Sequence, residues 1–449
     1  MQKSGNDVEV LPSLQADYAR LAVIDLRGED RPRPDCGPLR VVCGLPLVLR
    51  TLLVLQRRGY DRALVLVHAA DRSAVETALG SPRLRTTVQL VEDEGESLAP
   101  AAAALQGAES VLYWPGTLSF GRFAPPLVAE RPAADGALQL SGLNVPLVQI
   151  GAEALRGHGA QSIASLLELL DAQGKLAPRE AGSTDGPTAL RPFLVRTRAD
   201  ARDAERALLW SLRKAADGAV AKFDRHVSLA ISRYLMRLPV APNAVTVVGG
   251  LLGVVCGIVA SFGGYVPMLL GALGFQLNAI LDGIDGEIAR AKLFESRLGE
   301  WLDTIADDTS NLAFAVGVGI GSYHTWGSPH YLVLAAVAGA GFVVTAAMMY
   351  HHLITVVHSG DLNDYKWPWD EVTSAQGQPA ETLHPAWRVL ARLKWLLRRD
   401  AFVFMSTLCA LAGQLRVMAW LFALGVTGVW IAIVVCRFVT PRLRAAERA

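Results

Sequence analysis

The segment LDGIDGEIARAKLFESRLGEWLDTIADD, Leu281 to Asp308, places two pairs of aspartates at helical spacing within the apolar half of the chain. Asp282 and Asp285 are three residues apart, and Asp303 and Asp307 are four apart, so each pair lies on one face of a helix. The polar stretch between the pairs can turn the chain back. Two antiparallel helices would then bring four carboxylates together at one edge of a membrane.

The cost of burying these aspartates predicts what they do. One aspartate at the centre of a membrane helix costs about 2.5–3.5 kcal/mol, so four facing lipid would cost roughly 10 kcal/mol or more. They are therefore expected to face a polar cavity, where hard divalent cations relieve the repulsion between carboxylates. The pattern predicts Mg²⁺ or Mn²⁺, as a pair of ions able to bind a diphosphate and stabilise a leaving phosphate. One carboxylate could instead take a proton from an attacking hydroxyl.

Two other interpretations of the aspartates stay open at this point. The first is a set of solvated helix ends, which suits Glu300 and Asp308 best. The second is a cation or proton pathway, because acids within a membrane also mark transporters. A cation transporter would spread its acids over several spans, whereas here they cluster at one edge, which favours an enzyme.

The second half of the chain has the composition of a membrane domain. A bilayer crossing needs about 20 residues of helix. Six stretches without Lys, Arg, Asp or Glu follow one another: Asn243–Phe262, Gly263–Leu281, Thr309–Ser328, Pro329–Tyr350, Ala401–Leu415 and Val417–Cys436. We predict six transmembrane helices, of which the second and third include the polar segment between them.

Basic residues in the connections predict the orientation of these helices. Basic residues occur in the connection between the second and third spans, in the connection between the fourth and fifth spans, and in the C-terminal tail. The connections on the opposite side hold almost no basic residue apart from Arg416. The excess of Lys and Arg on the cytoplasmic side then places both termini in the cytoplasm. The first ten residues are polar and no apolar signal segment follows. We expect a multi-pass protein of the cytoplasmic membrane with a cytoplasmic N-terminal domain.

The first half of the chain has the pattern of an α/β domain. Short apolar runs with strand character alternate with helical patterns, which is typical of a doubly wound parallel sheet. The predicted strands are Leu21–Leu26, Ala63–Val67, Val88–Val91 and Val111–Tyr113. A stretch rich in Gly, Pro, Ser and Thr, residues 175–192, is predicted to be a loop, and a connecting helix is predicted over residues 199–214.

Composition excludes several classes of protein. The chain has 449 residues, of which 51% are hydrophobic and 19% charged, and its mean hydropathy is +0.30. These values exclude a disordered chain and a disulfide scaffold. The net charge is +1, so the whole chain offers no electrostatic case for binding nucleic acid. The five cysteines form no CxxC pair, which argues against a structural zinc site.

The aspartate segment resembles the signature of the CDP-alcohol phosphotransferase (CDP-alcohol phosphatidyltransferase) family. The pattern D-x-x-D-G-x-x-A-R, eight residues, then G-x-x-x-D-x-x-x-D fits at each fixed position from Asp282 to Asp307. The resemblance implies a six-helix membrane enzyme, usually dimeric, in which the hydroxyl of one alcohol displaces CMP from a CDP-linked alcohol. It also implies that Asp282, Asp285 and Asp303 bind metal and that Asp307 is the general base and shares a metal. The residues that fall where the family contacts the CDP group are Gly286, Ala289, Arg290 and Gly299.

The segment before the first span, Asp217 to Thr246, resembles the entry segment of the same family. It is most similar to members fused to a cytidylyltransferase, which make di-inositol phosphate phosphate from CDP-inositol and inositol phosphate. Pro242, Asn243 and Thr246 carry this match, and Asn243 and Thr246 are added to the CDP-binding residues. The helix has basic and apolar faces typical of the membrane interface. Its basic residues would bind either lipid headgroups or the phosphate of an acceptor, and the acceptor-phosphate candidates are Arg225, Arg398 and Arg399.

The N-terminal domain resembles a sugar-phosphate nucleotidyltransferase that has lost catalysis. The stretch Gly44 to Leu52 is similar to the segment after the nucleotide loop of that family. The loop region, DLRGEDRPRPDCGPLR, lacks a glycine cluster, and VLYWPG (111–116) lacks the acid expected for a metal. We predict an inactive domain over residues 1–198, connecting and juxtamembrane helices over 199–242, and the membrane domain over 243–449. The alternative donor for the same chemistry is CDP-diacylglycerol.

Overall fold

The protein consists of an α/β unit followed by a helical unit. A computed structural model describes residues 20–28, 37–159, 161–180, 192–212, 219–360 and 399–438. Unit 1 comprises residues 1–215 with 290–293, and unit 2 comprises residues 216–289 with 294–449. This division into an α/β part and a helical part agrees with the fold class that the sequence predicts.

Unit 1 alternates strands with helices along most of its length. Its strands are β1 (Leu21–Asp25), β2 (Val41–Val42), β3 (Leu45–Pro46), β4 (Arg62–Val67), β5 (Thr87–Glu92), β6 (Ser110–Pro115), β7 (Leu118–Ser119), β8 (Ala137–Leu140), β9 (Val148–Gly151), β10 (Leu176–Arg179) and β11 (Phe193–Leu194). Its helices are α1 (Leu47–Arg57), α2 (Arg72–Leu79), α3 (Ala99–Ala103), α4 (Ala152–His158), α5 (Ile163–Ala172) and α6 (Arg198–Ser211).

Seven strands of unit 1 form one mixed sheet in the order β10-β8-β9-β6-β1-β4-β5. The four strands predicted from the sequence are present, and β1 pairs in parallel with both β4 and β6. β9 runs antiparallel to β6 and β8, so the prediction of a wholly parallel sheet is corrected at this end. The loop predicted over residues 175–192 is wrong at its start, where β10 pairs with β8, and residues 181–191 lie outside the described part. The sequence of β10, LAPR, has no strand pattern of its own, and this segment is a strand because its backbone pairs with β8.

Alternation along the central strands builds a core on each face of the sheet. Ala22 and Ile24 of β1 lie in one apolar cluster, whereas Leu21 and Val23 lie in the other. Successive side chains of a strand point to opposite faces, so a strand covered on both faces is apolar throughout. The apolar face of α1 packs into the first of these clusters. This arrangement is that of a doubly wound domain.

The predicted connecting helix is present as α6. Thr197 Oγ1 accepts a hydrogen bond from the Asp200 backbone N–H at 3.2 Å, and Asp200 accepts one from the Thr197 N–H at 2.9 Å. This reciprocal pair satisfies N–H groups at the start of the helix. The Thr197 N–H also lowers the pKa of the Asp200 carboxyl, because it stabilises the charged form.

Unit 2 is helical throughout its described residues. Among its described residues the helices are α7 (Ala219–Leu235), α8 (Pro242–Ser261), α9 (Tyr265–Ala291), α10 (Arg297–Trp326), α11 (His330–His352), α12 (Arg399–Leu411) and α13 (Leu415–Phe438). Each of the helices α8 to α13 overlaps one of the six apolar stretches. Within the described residues three helices are long and apolar enough to cross a membrane: Pro242–Ser261, Tyr265–Ala291 and His330–Val357. Within the described residues the prediction of six spans is therefore met in part, because the first half of α10 is charged and the apolar stretches of α12 and α13, Ala401–Leu411 and Leu415–Gly425, are shorter.

Small residues let α8 and α10 approach each other closely. A Cβ added at Gly257 would lie 2.4 Å from the Ala313 carbonyl oxygen, and one at Gly317 would lie 2.1 Å from the Gly257 carbonyl oxygen. Neither position can therefore hold a larger residue unless the backbones separate. Close packing at glycines is a common basis of helix association in membranes. It fixes α10 against α8 just beyond the aspartate-bearing turns.

Candidate metal centre

Three of the four predicted aspartates meet between α9 and α10. Asp282 from α9 and Asp303 and Asp307 from α10 each contribute a carboxylate oxygen, and these three oxygens lie within 4.8 Å of one another. All three side chains are partly buried. The spacing of four residues puts Asp303 and Asp307 on one face of α10, as predicted. The meeting of the end of α9 with the first turns of α10 therefore brings the two sequence pairs into one cluster.

The donor set fits a hard divalent cation. Two carboxylates at this separation repel each other by about 3 kcal/mol at an effective dielectric constant of about 20. Mg²⁺ binds oxygen at about 2.1 Å, so oxygens on opposite sides of one ion lie about 4.2 Å apart. The upper limit of 4.8 Å in the cluster is close to that value. Asp282, Asp303 and Asp307 could hold a metal ion with little rearrangement.

Asp285 occupies a different environment from the other three aspartates. Its side chain is buried, and it accepts a hydrogen bond from the Thr246 hydroxyl on α8. Thr246, predicted from sequence to contact the CDP group, is thus in contact with a motif aspartate. Asp285 lies three residues after Asp282 and shares its face of α9, but the cluster of three oxygens does not include it.

The remaining residues predicted to bind CDP lie on the turns around the cluster. Gly299 is in the first turn of α10, whose N-cap Ser296 accepts a hydrogen bond from the Gly299 N–H at 3.1 Å. A Cβ at Gly299 would lie 3.3 Å from the Asn243 side-chain oxygen, so these two predicted residues are neighbours. Three others, Gly286, Ala289 and Arg290, follow Asp285 on the last turns of α9.

Two polar contacts behind the site helices were not predicted from the sequence. Glu287 of α9 is fully buried and accepts hydrogen bonds from Ser228 and Ser232 of α7. Asp308 of α10 accepts a hydrogen bond from the Tyr350 hydroxyl of α11 at 2.5 Å, so it is not simply a solvated acid. The sequence does show that each acid lies within an apolar helix, and such an acid needs a polar partner. Spacing alone does not identify that partner.

The predicted acceptor-phosphate residues are described only in part. On α7, the Nη1 atom of Arg225 lies 3.3 Å from a carboxylate oxygen of Glu287, and the Arg225 side chain is 15% exposed. Arg398 lies outside the described residues. Arg399 begins α12, and its side chain also lies outside the described part of the chain.

In unit 1 an internal ion pair lies at the carboxyl end of β1. Arg27 donates to both oxygens of Asp25, at 3.0 and 2.9 Å, and also pairs with Asp93, which follows β5. The Tyr113 hydroxyl on β6 donates to Asp25 at 2.9 Å. Burial, together with the Asp25 charge, raises the pKa of the Tyr113 phenol well above its usual value. Doubly wound sheets bind ligands at this edge, where neighbouring strands connect in opposite directions.

Replacing Arg27 by methionine is expected to destabilise unit 1 by about 3 kcal/mol, because it leaves two carboxylates without their cation in a poorly hydrated place. Hydrogen exchange of the β1 and β6 amides in the full-length protein should accelerate by roughly 100-fold. Arg72→Met is the matched control, since Arg72 pairs with Glu76 and Glu92 on the surface. It should change exchange less than about threefold. Equal exchange rates in the two variants would contradict the conclusion that the Arg27 ion pair stabilises unit 1.

Part of the chain matches a known family. Residues 239–374 match the sequence profile of the CDP-alcohol phosphatidyltransferase family. This match includes the aspartate segment and confirms the resemblance that its spacing predicted. It covers α8 to α11 and the cluster of three aspartates.

Two relatives and one solved structure are also similar to parts of this chain. The "Bifunctional IPC transferase and DIPP synthase" of Aquifex aeolicus is 29% identical over 204 residues, 45% of this chain and 40% of the relative. The protein of the same name in Thermococcus kodakarensis is 37% identical over 134 residues, 29% of this chain and 28% of the relative. The chain therefore matches less than half the length of these relatives. The inositol-1-phosphate CTP transferase structure from T. maritima covers 42% of this chain and 96% of its own, with 11% identity and a TM-score of 0.31.

Proposed function

We propose that this protein is a membrane transferase that moves a substituted phosphate group from a CDP-alcohol to an acceptor alcohol and releases CMP. The observation that carries the proposal is the cluster of Asp282, Asp303 and Asp307 within the segment that matches the family profile. We further propose that the protein serves phospholipid biosynthesis or the synthesis of polar headgroups and inositol phosphates, the last of which is suggested by the names of the relatives.

We assign Asp282, Asp285, Asp303 and Asp307 as the residues that hold two divalent cations, Mg²⁺ or Mn²⁺. When bound, such ions polarise the diphosphate and stabilise charge on the leaving CMP. Asp307 is assigned as the general base. The acceptor oxygen forms a bond to the β-phosphorus, the bond from that phosphorus to CMP breaks, and the acceptor proton passes to Asp307.

The surrounding residues are assigned to the two substrates. Gly286 and Gly299 allow close approach of the nucleotide, since neither carries a side chain. Arg290 neutralises phosphate charge. The full set of CDP-binding residues is Asn243, Thr246, Gly286, Ala289, Arg290 and Gly299. The acceptor-phosphate residues are Arg225, Arg398 and Arg399.

We propose that residues 1–198 form a nucleotidyltransferase-like domain without catalytic activity. β6 ends in Pro115 without an acid, and the carboxyl end of β1 carries the Arg27 ion pair. Residues 199–242 connect it to the catalytic membrane domain, residues 243–449. The protein is proposed to lie in the cytoplasmic membrane as a homodimer with six spans, with both termini in the cytoplasm.

A CMP-release screen of the purified full-length protein tests the proposal. With Mg²⁺ or Mn²⁺ present, CDP-inositol and CDP-diacylglycerol are each combined with inositol phosphate and with other alcohols. We expect release that requires donor, acceptor and metal together. Ion flux into proteoliposomes without any CDP-alcohol, and no CMP release in any combination, would favour a transporter instead.

A further inference from the structure

The buried carboxylate of Glu287 contacts three residues of one neighbouring helix. The side chain is 0% exposed. It accepts hydrogen bonds from Ser228 Oγ at 2.7 Å and from Ser232 Oγ at 2.6 Å, and Arg225 Nη1 lies 3.3 Å away. All three partners belong to α7. A carboxylate removed from water needs such compensation, so this contact is specific in geometry.

The contact lies on the opposite side of α9 from the aspartate cluster. Successive residues of a helix are about 100° apart, so Glu287 is about 140° around the axis from Asp282 and about 200° from Asp285. Gly283 shares this rear face, and a Cβ there would lie 3.6 Å from Ser228 Oγ. α7 therefore packs directly behind the turns of α9 that carry the two aspartates.

A second polar contact fixes α7 to the same face. Gln276 Nε2 donates to Asp224 Oδ1 at 3.2 Å. Gln276 precedes Glu287 by eleven residues, which is three helical turns or about 16 Å along α9. Two contacts at this separation restrain both the rotation of α9 and its position along α7. The Glu287 contact is the one next to the aspartates.

A metal site depends on this kind of restraint, because ligand atoms must lie within about 0.2 Å of their ideal distances. A small rotation of α9 would move the Asp282 oxygen relative to Asp303 and Asp307 on the other helix. We propose that Glu287 is a positioning residue: through Ser228, Ser232 and Arg225 it holds α9 in the orientation that presents Asp282 to the metal centre. The inference rests on the proposed metal-binding role of the aspartates.

The test is Mn²⁺ binding to the purified full-length protein without substrates, measured by calorimetry or by electron paramagnetic resonance. Glu287→Ala should weaken Mn²⁺ affinity by about 10-fold or more, the range found when partners of metal ligands are removed. Glu287→Gln keeps an acceptor and a donor for the two hydroxyls, so its affinity should stay within about threefold. The melting temperature of each variant is measured in the same samples.

Met268→Ala is the matched control for a purely structural effect. Met268 is fully buried on α9 and lies about 21 Å along the axis from Asp282. It should lower the melting temperature and leave Mn²⁺ affinity within about twofold, because the cavity is remote from the ligands. Ser228→Ala/Ser232→Ala removes the partners rather than the carboxylate, and we expect it to weaken Mn²⁺ affinity in the same direction. If Glu287→Ala does not fold, this double serine variant tests the proposal in its place.

The outcomes separate this role from the proposed function. Wild-type Mn²⁺ affinity in both Glu287→Ala and the double serine variant would overturn the positioning role. An equal loss of affinity in Met268→Ala at a similar melting temperature would also overturn it. A wild-type protein that binds Mn²⁺ but never releases CMP would overturn the proposed function and leave the role of Glu287 standing.

Discussion

Replacement of Asp307 by asparagine is expected to lower CMP release by about 10³-fold, within the range of 10²–10⁴ for loss of a general base. The amide has nearly the shape of the carboxylate, so the fold should be retained. It cannot accept the proton of the attacking hydroxyl, and it is a weaker metal ligand. The measurement is steady-state CMP release by the full-length protein at saturating donor, acceptor and Mg²⁺.

Asp308→Asn is the matched control for this variant. Asp308 is the next residue on α10, but its carboxylate accepts a hydrogen bond from Tyr350 of α11 and does not belong to the cluster of three. An asparagine oxygen can still accept that bond, so we expect less than about a tenfold loss. Comparable losses in both variants would mean that charge at this end of α10, rather than a base at position 307, drives the reaction.

Replacement of Asp303 by alanine is expected to abolish divalent-metal binding and, with it, CMP release. Asp303 is one of three residues whose oxygens lie within 4.8 Å of one another. Loss of a partner to a metal ligand costs about 10–100-fold in affinity, so loss of a ligand itself should cost roughly 100-fold or more. Mn²⁺ binding without substrates and CMP release with Mn²⁺ are measured on the same preparation.

Glu300→Gln is the control for the loss of an acidic charge from α10. Glu300 is exposed in the first turn of the helix, one turn before Asp303. Its replacement should change Mn²⁺ affinity by less than about threefold, because an exposed charge is well screened. If Asp303→Ala bound Mn²⁺ as tightly as the wild type, the cluster would be a set of solvated acids and the metal assignment would be wrong.

The candidate site was predictable because its information is local. Spacings of three and four residues identify the faces of two helices, and the cost of intramembrane acids requires those faces to meet around something polar. In the structure Asp282, Asp303 and Asp307 lie together, as this reasoning expects. Spacing could not show that Asp285 differs from the other three aspartates, because its environment depends on the Thr246 hydroxyl from another helix.

The fold was predictable to a similar depth. The apolar runs of β1, β4, β5 and β6 indicated parallel strands, and the structure has β6, β1 and β4 side by side in the sheet with β5 next to β4 at one edge. The antiparallel β9 and the edge strand β10 carry weaker patterns, since an edge strand needs less apolar sequence. Among the described residues, length and apolarity support three of the six predicted spans, because α10 is charged in its first half and the apolar stretches of α12 and α13 are shorter.

Sequence alone therefore indicated the α/β and helical halves, the aspartate pattern and the family resemblance, because each depends on periodicity within an element or on spacing along a short stretch of chain. Tertiary structure decided what lies behind the site: the burial of Glu287 against Ser228 and Ser232, and the bond between Asp308 and Tyr350. These pairs join residues 42 to 59 positions apart in the chain. A helix pattern shows which face is polar, but only the packing of a second helix decides which group satisfies it.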